Sequence, residues 1–595
     1  MRNEFREEIS GLRAIAVIAV ILFHANFSLF QGGFIGVDIF FVISGYLITN
    51  IILKELQNKS FSLSTFFERR IRRIIPGLYF VTALSMVAGY FLLMPDEYKN
   101  LGQSVVATTL FGNNFLLAIT NNYWDLANDF KPLMHTWSLG VEEQYYLIAP
   151  IILILIWKWK REYISRSIGI IFISSLIFGN WLTKESPRLA FYLLPSRVWE
   201  IALGALVASL SLDKIEINPR SRISKLGSSL GLTAILFSFV SFNSKTPNPG
   251  LIFLLPTIGT VLVLIFAKNG NFIQKLLSTN VLVFVGSISY SLYLIHQPIF
   301  AFSRAFSHQP LNLLNYSILI CFIFLTSTIS WLLIEKPFRN SNFLSKKIIF
   351  SAALVAGITL SVLGFLLNSS YGMIERIYKS NVSASEIDKR IYNERVFAYK
   401  KDMFEDKSKK KLLIIGNSFA RDFVNITTET FKSNSYEIVY RDDLFQCIKS
   451  TQNYLAVELF TQADVIVFAS GNLEKECLFQ DITFSKLMKK KIFYVGTKDF
   501  GYNLNWILRL DNESRPNRFN QISDKILQDE KNMANLIPGS MYISLLSPVL
   551  RGNEIPITDS EGRLLSADRK HLTRYGAIFF GKHVGSFTNY KDSIK

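Results

Sequence analysis

Residues 348–368 read Ile348-Ile349-Phe350-Ser351-Ala352-Ala353-Leu354-Val355-Ala356-Gly357-Ile358-Thr359-Leu360-Ser361-Val362-Leu363-Gly364-Phe365-Leu366-Leu367-Asn368. The stretch holds no charge, and as a helix it covers about 31 Å, the thickness of a bilayer's hydrocarbon core. It therefore reads as a spanning helix. It is also the last of its kind: beyond Ser369-Ser370 the chain turns mixed and charged, with apolar runs of strand length. Working back towards the N-terminus, comparable stretches occupy 11–30, 33–53, 77–94, 103–119, 141–157, 167–183, 189–210, 226–243, 251–267, 281–303 and 313–334. Composition agrees. Of 595 residues, 50% are hydrophobic and 18% charged, where a soluble domain carries about 25% charged residues. Such a chain is neither disordered nor a small disulfide scaffold.

The net charge of +18 raises the question of nucleic acid, but the basic residues alternate by loop and form no stripe. Lys and Arg favour cytoplasmic loops. The weakest span is 103–119, broken by Gly112-Asn113-Asn114. If it crossed, Lys158-Trp159-Lys160-Arg161 would fall outside. Without it, the chain has eleven spans and a cytoplasmic N-terminus, with 23 of the 64 Lys and Arg on the inner side and 6 in the outer loops before residue 369. This topology places 369–595 outside, in the periplasm or at the cell surface of a bacterium. Membrane lipids are the expected surroundings, and no nucleic-acid partner is expected. The first helix could be mistaken for a signal peptide, but Arg13, His24 and the apolar hairpin that follows argue against cleavage.

Charges in lipid are costly and point to function. Arg13 and His24 lie eleven residues apart, roughly 16 Å and close to three turns along one helix face. Asp38, in the next helix, could orient His24 and raise its basicity. Arg69, Arg70, Arg72 and Arg73 crowd the first substantial cytoplasmic loop. They read equally as an inner-side anchor and as a phosphate-binding cluster. His135, Glu142 and Glu143 concentrate at an outer membrane edge. Arg197 and Glu200 are spaced to pair. His296 is as consistent with packing as with function.

These residues carry a resemblance. Arg13-x10-His24, the Gly36-to-Tyr46 run, the 69–73 arginines, His135-Thr136-Trp137-Ser138-Leu139 and Ser287-to-Pro298 resemble the acyltransferase-3 family over roughly residues 5–340. The resemblance implies a multi-pass enzyme that takes an acyl group, usually acetyl, from cytoplasmic acyl-CoA. It implies Arg13 and His24 as the essential pair and the arginine segment as the place where CoA docks. His24 would then be the base or the transient acyl acceptor.

In the outer region, Leu412-Leu413-Ile414-Ile415-Gly416-Asn417-Ser418 reads as strand, Gly turn and a Ser opening a helix, where backbone N–H groups can serve an oxyanion. A second strand, Ala463–Ala469, runs into Ser470-Gly471-Asn472. Asp568 and His571 are three apart, so the carboxylate can orient the imidazole and the imidazole can deprotonate a Ser. This set is similar to SGNH/GDSL hydrolases. The likeness implies an α/β domain with a parallel sheet, Ser418 as nucleophile, Asp568 and His571 completing a triad, and Asn472, or the Gly471 N–H in its place, as an oxyanion donor. Asn417 departs from that family's usual Asp. Cys447 and Cys477 lie in the same region, where an oxidising compartment permits a bridge; two free buried thiols are the other reading.

The resulting expectation is a membrane domain over 1–340, one further spanning helix and linker over 341–370, and an SGNH-like extracytoplasmic domain over 371–595. Its implied activity is O-acylation of a cell-envelope glycan, such as lipopolysaccharide O-antigen, with acetyl-CoA as donor and no metal. An outer-domain esterase is one rival. A transporter or flippase with a glycan-binding domain is another, although no internal repeat is visible.

Overall fold

The computed structural model describes residues 6–120, 128–211, 221–268, 270–378, 383–431, 434–444, 454–469, 478, 483, 488–585 and 587–594. They form two compact units. The first comprises Met1–Phe91, Asn100–Arg304 and Leu311–Asn368; the second comprises Leu92–Lys99, Ala305–Pro310 and Ser369–Lys595.

The first unit is helical. Among the described residues, eight helices are long and apolar enough to cross a membrane; the pair Asn280–Ser287 and Ser289–Phe306, bent by 64°, is either a ninth, broken span or a re-entrant loop. Two more of the expected spans are helices that fall short of that standard: Glu7–His24 carries several charges, and Leu251–Phe266 is short. The excluded stretch 103–119 is indeed broken, into Pro95–Thr109 and Asn113–Thr120, with Phe111 at φ 53° at the break. One expectation changes. Residues 69–73 lie inside the helix Leu63–Leu92 and not in a loop.

Helices Gly36–Gln57 and Leu194–Leu210 meet backbone to backbone. A Cβ added at Gly45 would overlap the carbonyl of Ile201, and one at Gly204 would overlap that of Val42. Small residues permit this approach where no water drives association. The contact brings the polar residues of these two helices together.

The second unit is α/β. Strands β1 (Lys410–Ile415), β2 (Tyr436–Arg441), β3 (Val465–Phe468), β4 (Lys491–Val495), β5 (Phe519–Gln521), β6 (Tyr542–Ile543) and β7 (Glu554–Pro556) are described. Five form a parallel sheet in the order β2-β1-β3-β4-β6, and β5 pairs antiparallel with β7. Alternate side chains feed two cores. Leu412, Ile414, Val465 and Val467 pack on one face; Leu413, Ile415, Ile466 and Phe468 pack on the other. Both faces are covered, as parallel strands require, which explains why these strands read as continuous apolar runs. Each such side chain contributes roughly 1.5–3 kcal/mol on burial. The order reverses between β1 and β3, and a crevice opens beyond the carboxyl ends of strands at such a point. Ser418 begins there.

Candidate functional site

The first unit holds a partly open pocket lined in part by Arg13, Arg70, Arg73, Ser44, Glu142 and Tyr293. Arg13 lies over Phe40 and Arg70 over Tyr146, each 5.9 Å from the ring centre. Three guanidinium groups in one apolar-walled space form a strong anion-binding field. The four arginines of the 69–73 segment divide. Arg69 pairs with Glu55 at 2.8 Å. Arg72 pairs with Glu68 at 2.9 Å and donates to the Leu344 carbonyl at 2.6 Å. Arg70 and Arg73 face the cavity.

His24, the last residue of its helix, lies outside this lining. Its ring is 5.2 Å from that of His296, which is 5.5 Å from both His135 and Tyr293. Tyr293 is also a cavity wall, and its ring lies 6.3 Å from Phe40. A continuous run of side chains therefore leads from Arg13 through Phe40, Tyr293 and His296 to His24. The Nδ1 of His296 lies 2.7 Å from the Tyr293 carbonyl. A proton on that nitrogen leaves Nε2 as the basic site. Arg304 donates to the backbone carbonyl of His24 and, at 3.1 Å, to Tyr316. Sequence reasoning passed over Arg304; a lone Arg near the end of an apolar helix was the available signal.

Asp38 does not serve His24. Its carboxylate is 3.3 Å from Arg197, which also sits 3.2 Å from Glu200, and all three side chains are 1% exposed or less. Arg197 further donates to Asn248. The close contact at Gly45 and Gly204 sets this pairing. The local spacing that pairs Arg197 with Glu200 held; the expected partner for Asp38 did not.

In the second unit, Gly416 ends β1 at φ 142°, where a Cβ would overlap the Ala469 carbonyl, so glycine is required. Asn417 caps the next helix, its side-chain oxygen accepting the Phe419 N–H at 3.0 Å. Asn and Asp cap equally well, so the departure at 417 costs nothing there. Ser418 opens that helix, is 2% exposed, and its Oγ has no hydrogen-bond partner among the described residues. Asp568 Oδ2 lies 2.7 Å from His571 Nδ1, and Oδ1 accepts the His571 backbone N–H at 2.8 Å. The carboxylate thus holds ring and backbone together and directs Nε2 to act as base. Between them Arg569 takes φ 84°, a strained value for a non-glycine residue. It is fixed where its carbonyl accepts the Phe500 N–H at 2.9 Å. Gly471, Asn472, Cys447 and Cys477 lie outside the described residues.

The segment Leu92–Lys99 belongs to this unit, and the Met94 N–H donates to Asn505 at 2.6 Å. Burial pushes the Glu97 carboxyl up from the ordinary 4.5 to about 7, against an opposing hydrogen bond with Asn505 and the charge of Arg569. The folded chain therefore holds a proton that the unfolded chain releases between those values. Stability is full below the lower value and falls as pH rises through the upper one. Glu97→Gln removes that loss. Thermal unfolding in detergent should place the variant above the unsubstituted protein at pH 8, by at most roughly 3 kcal/mol, and level with it at pH 4. Equal midpoints at pH 8 would contradict this.

A family profile described as an acyltransferase domain matches residues 6–336. The chain belongs to the acyltransferase-3 family. The matched residues end before Ser369, where the main part of the second unit begins; its parallel sheet is consistent with the SGNH-like resemblance. Among curated relatives, the peptidoglycan O-acetyltransferase OatA of Listeria monocytogenes is 31% identical over 358 residues, 58% of this chain and 57% of the relative. The O-acetyltransferase OatA of Staphylococcus aureus is 31% identical over 350 residues, 56% of this chain and 57% of the relative. The chain thus spans little more than half the length of the curated relatives it matches. No solved structure matches it.

Proposed function

We propose that the protein is an O-acetyltransferase that carries acetyl from cytoplasmic acetyl-CoA to a hydroxyl of a cell-envelope glycan. The observation that carries this reading is the Asp568–His571 dyad at 2.7 Å in a chain whose membrane half is an acyltransferase. Arg13, Arg70 and Arg73 suit the phosphates of CoA, whose pantetheine arm can extend along the cavity. The run through Tyr293 and His296 leads on to His24, which as a transient acceptor bonds the acetyl carbon through a ring nitrogen while the CoA thiol leaves with the proton the ring loses. The distribution of Lys and Arg among the loops supports a cytoplasmic donor side and an outer position for the second unit, at a bacterial cytoplasmic membrane.

At the second centre, His571 takes the proton of Ser418 while Oγ attacks the acetyl carbonyl. The acetyl group comes on the carrier that delivers it from the first unit; the bond from acetyl to that carrier breaks, the carrier departs with that proton, and the acetyl ester of Ser418 remains. A glycan hydroxyl then gives its proton to His571 and attacks the ester carbon. Ser418 Oγ leaves and recovers the proton, so no water is consumed. The names of the relatives favour peptidoglycan as the acceptor; lipopolysaccharide O-antigen is the other candidate.

Mass spectrometry of peptidoglycan and polysaccharide fractions tests both points. A deletion strain should lose acetyl esters from one fraction. The unsubstituted gene should restore them and Ser418→Ala should not. Acetylation raised by Ser418→Ala would instead identify a glycan esterase.

A further inference from the structure

A buried lysine packs against the helix that Ser418 opens, with no place in the chemistry above. Lys498 follows β4 at its carboxyl end, and its side chain is fully buried. Its Nζ lies 2.9 Å from Asp422 Oδ2, on a carboxylate equally buried, and 3.6 Å from the centre of the Phe419 ring. Asp422 sits one turn beyond Ser418 in the same helix. The oxygen that faces Lys498 also accepts the backbone N–H of Leu572 at 3.2 Å, and Leu572 directly follows His571. The other carboxylate oxygen accepts from Asn393 at 2.7 Å, and that same Asn393 amide reaches the Ser418 carbonyl at 3.2 Å.

One carboxylate therefore ties together the nucleophile's helix, the loop that bears His571 and the end of β4. A buried ion pair is a poor device for stability alone, because desolvation of the two charges offsets their attraction, and apolar replacements are often neutral or better. What this pair supplies is direction. The Leu572 N–H fixes the height of the His571 backbone on the Ser418 helix. Asp568 then fixes the ring on that backbone. Lys498 holds the Asp422 carboxylate oxygen that accepts from Leu572.

We propose that Asp422, held by Lys498, is a positioning residue that sets His571 on Ser418. This rests on reading Ser418 as the nucleophile and His571 as its base. Small displacements of a catalytic group cost large factors in rate, so the effect should exceed any change in stability.

The test compares two charge-neutral pairs of substitutions in the full-length protein in detergent. Lys498→Met with Asp422→Asn keeps an acceptor for the Leu572 N–H; Lys498→Met with Asp422→Leu removes it. The readouts are the rate of covalent labelling of Ser418 by a fluorophosphonate probe and the unfolding midpoint. The Asn pair should label near the rate of the unsubstituted protein, and the Leu pair about tenfold more slowly or worse, with midpoints within a few degrees of each other. Lys498→Met alone leaves a buried carboxylate unpaired; if it fails to fold, the two pairs still decide the question. Equal labelling by the two pairs, or slowing that only tracks lost folded protein, would overturn the positioning role alone. Ser418→Ala separates the readings: labelling that survives it, or unsubstituted protein that does not label, overturns the nucleophile assignment and the positioning role with it.

Discussion

His571→Ala should lower acetyl transfer to the glycan by roughly 10⁶-fold, the loss typical when the base of such a triad is removed. The expectation rests on geometry. Ser418 Oγ is buried and makes no hydrogen bond among the described residues, His571 included, so the expectation stands on the Asp568–His571 pair and on Ser418 opening its helix at the strand end. Asp568 contacts both the ring and the backbone of His571, so Asp568→Asn should misorient the ring and cost roughly 10⁴-fold. The check is turnover of a chromogenic acetyl ester by the full-length protein, together with acetyl content of envelope glycan in complemented cells. Near-normal values for His571→Ala in both assays would remove the second unit from the acyl path.

Arg197→Leu should destabilise the first unit by about 3–5 kcal/mol, the usual result of breaking a buried ion pair from one side. Asp38 and Glu200 share this guanidinium, all three side chains being 1% exposed or less. Without it, two carboxyl groups face each other inside the helical unit, shut off from solvent. Removing the charges together reverses the sign of the argument. Arg197→Leu combined with Asp38→Asn and Glu200→Gln should recover most of the lost stability. Unfolding midpoints in detergent measure both changes. A stable single variant would mean that the trio carries no net charge worth balancing.

Much of the fold was legible because it is written in local periodicity. Uncharged stretches of spanning length announced the helices, and runs such as Leu412–Ile415 and Val465–Phe468 announced buried strands. Asp568 and His571 were legible because three residues of spacing suffices to bring them together, with little help from the rest of the chain. The arginines were half legible. Read as a loop, 69–73 was one cluster. Read as a helix, the 3.6-residue period sends Arg69 and Arg72 to one side and Arg70 and Arg73 to another. The structure follows the second pattern.

The sequence by itself determined the two-part architecture, its helical and α/β characters, and those pairs of functional residues that lie within a few positions of each other. These follow from hydrophobic length, period and spacing, which are properties of neighbouring residues. Only the tertiary structure decided that Asp38 answers Arg197 and not His24, that His24 meets His296 and through it His135, and that Lys498 reaches Asp422. Each of these contacts joins residues far apart in the chain. They exist because helices pack at particular glycines and strands order themselves across a sheet, and single-chain periodicity carries no record of those choices.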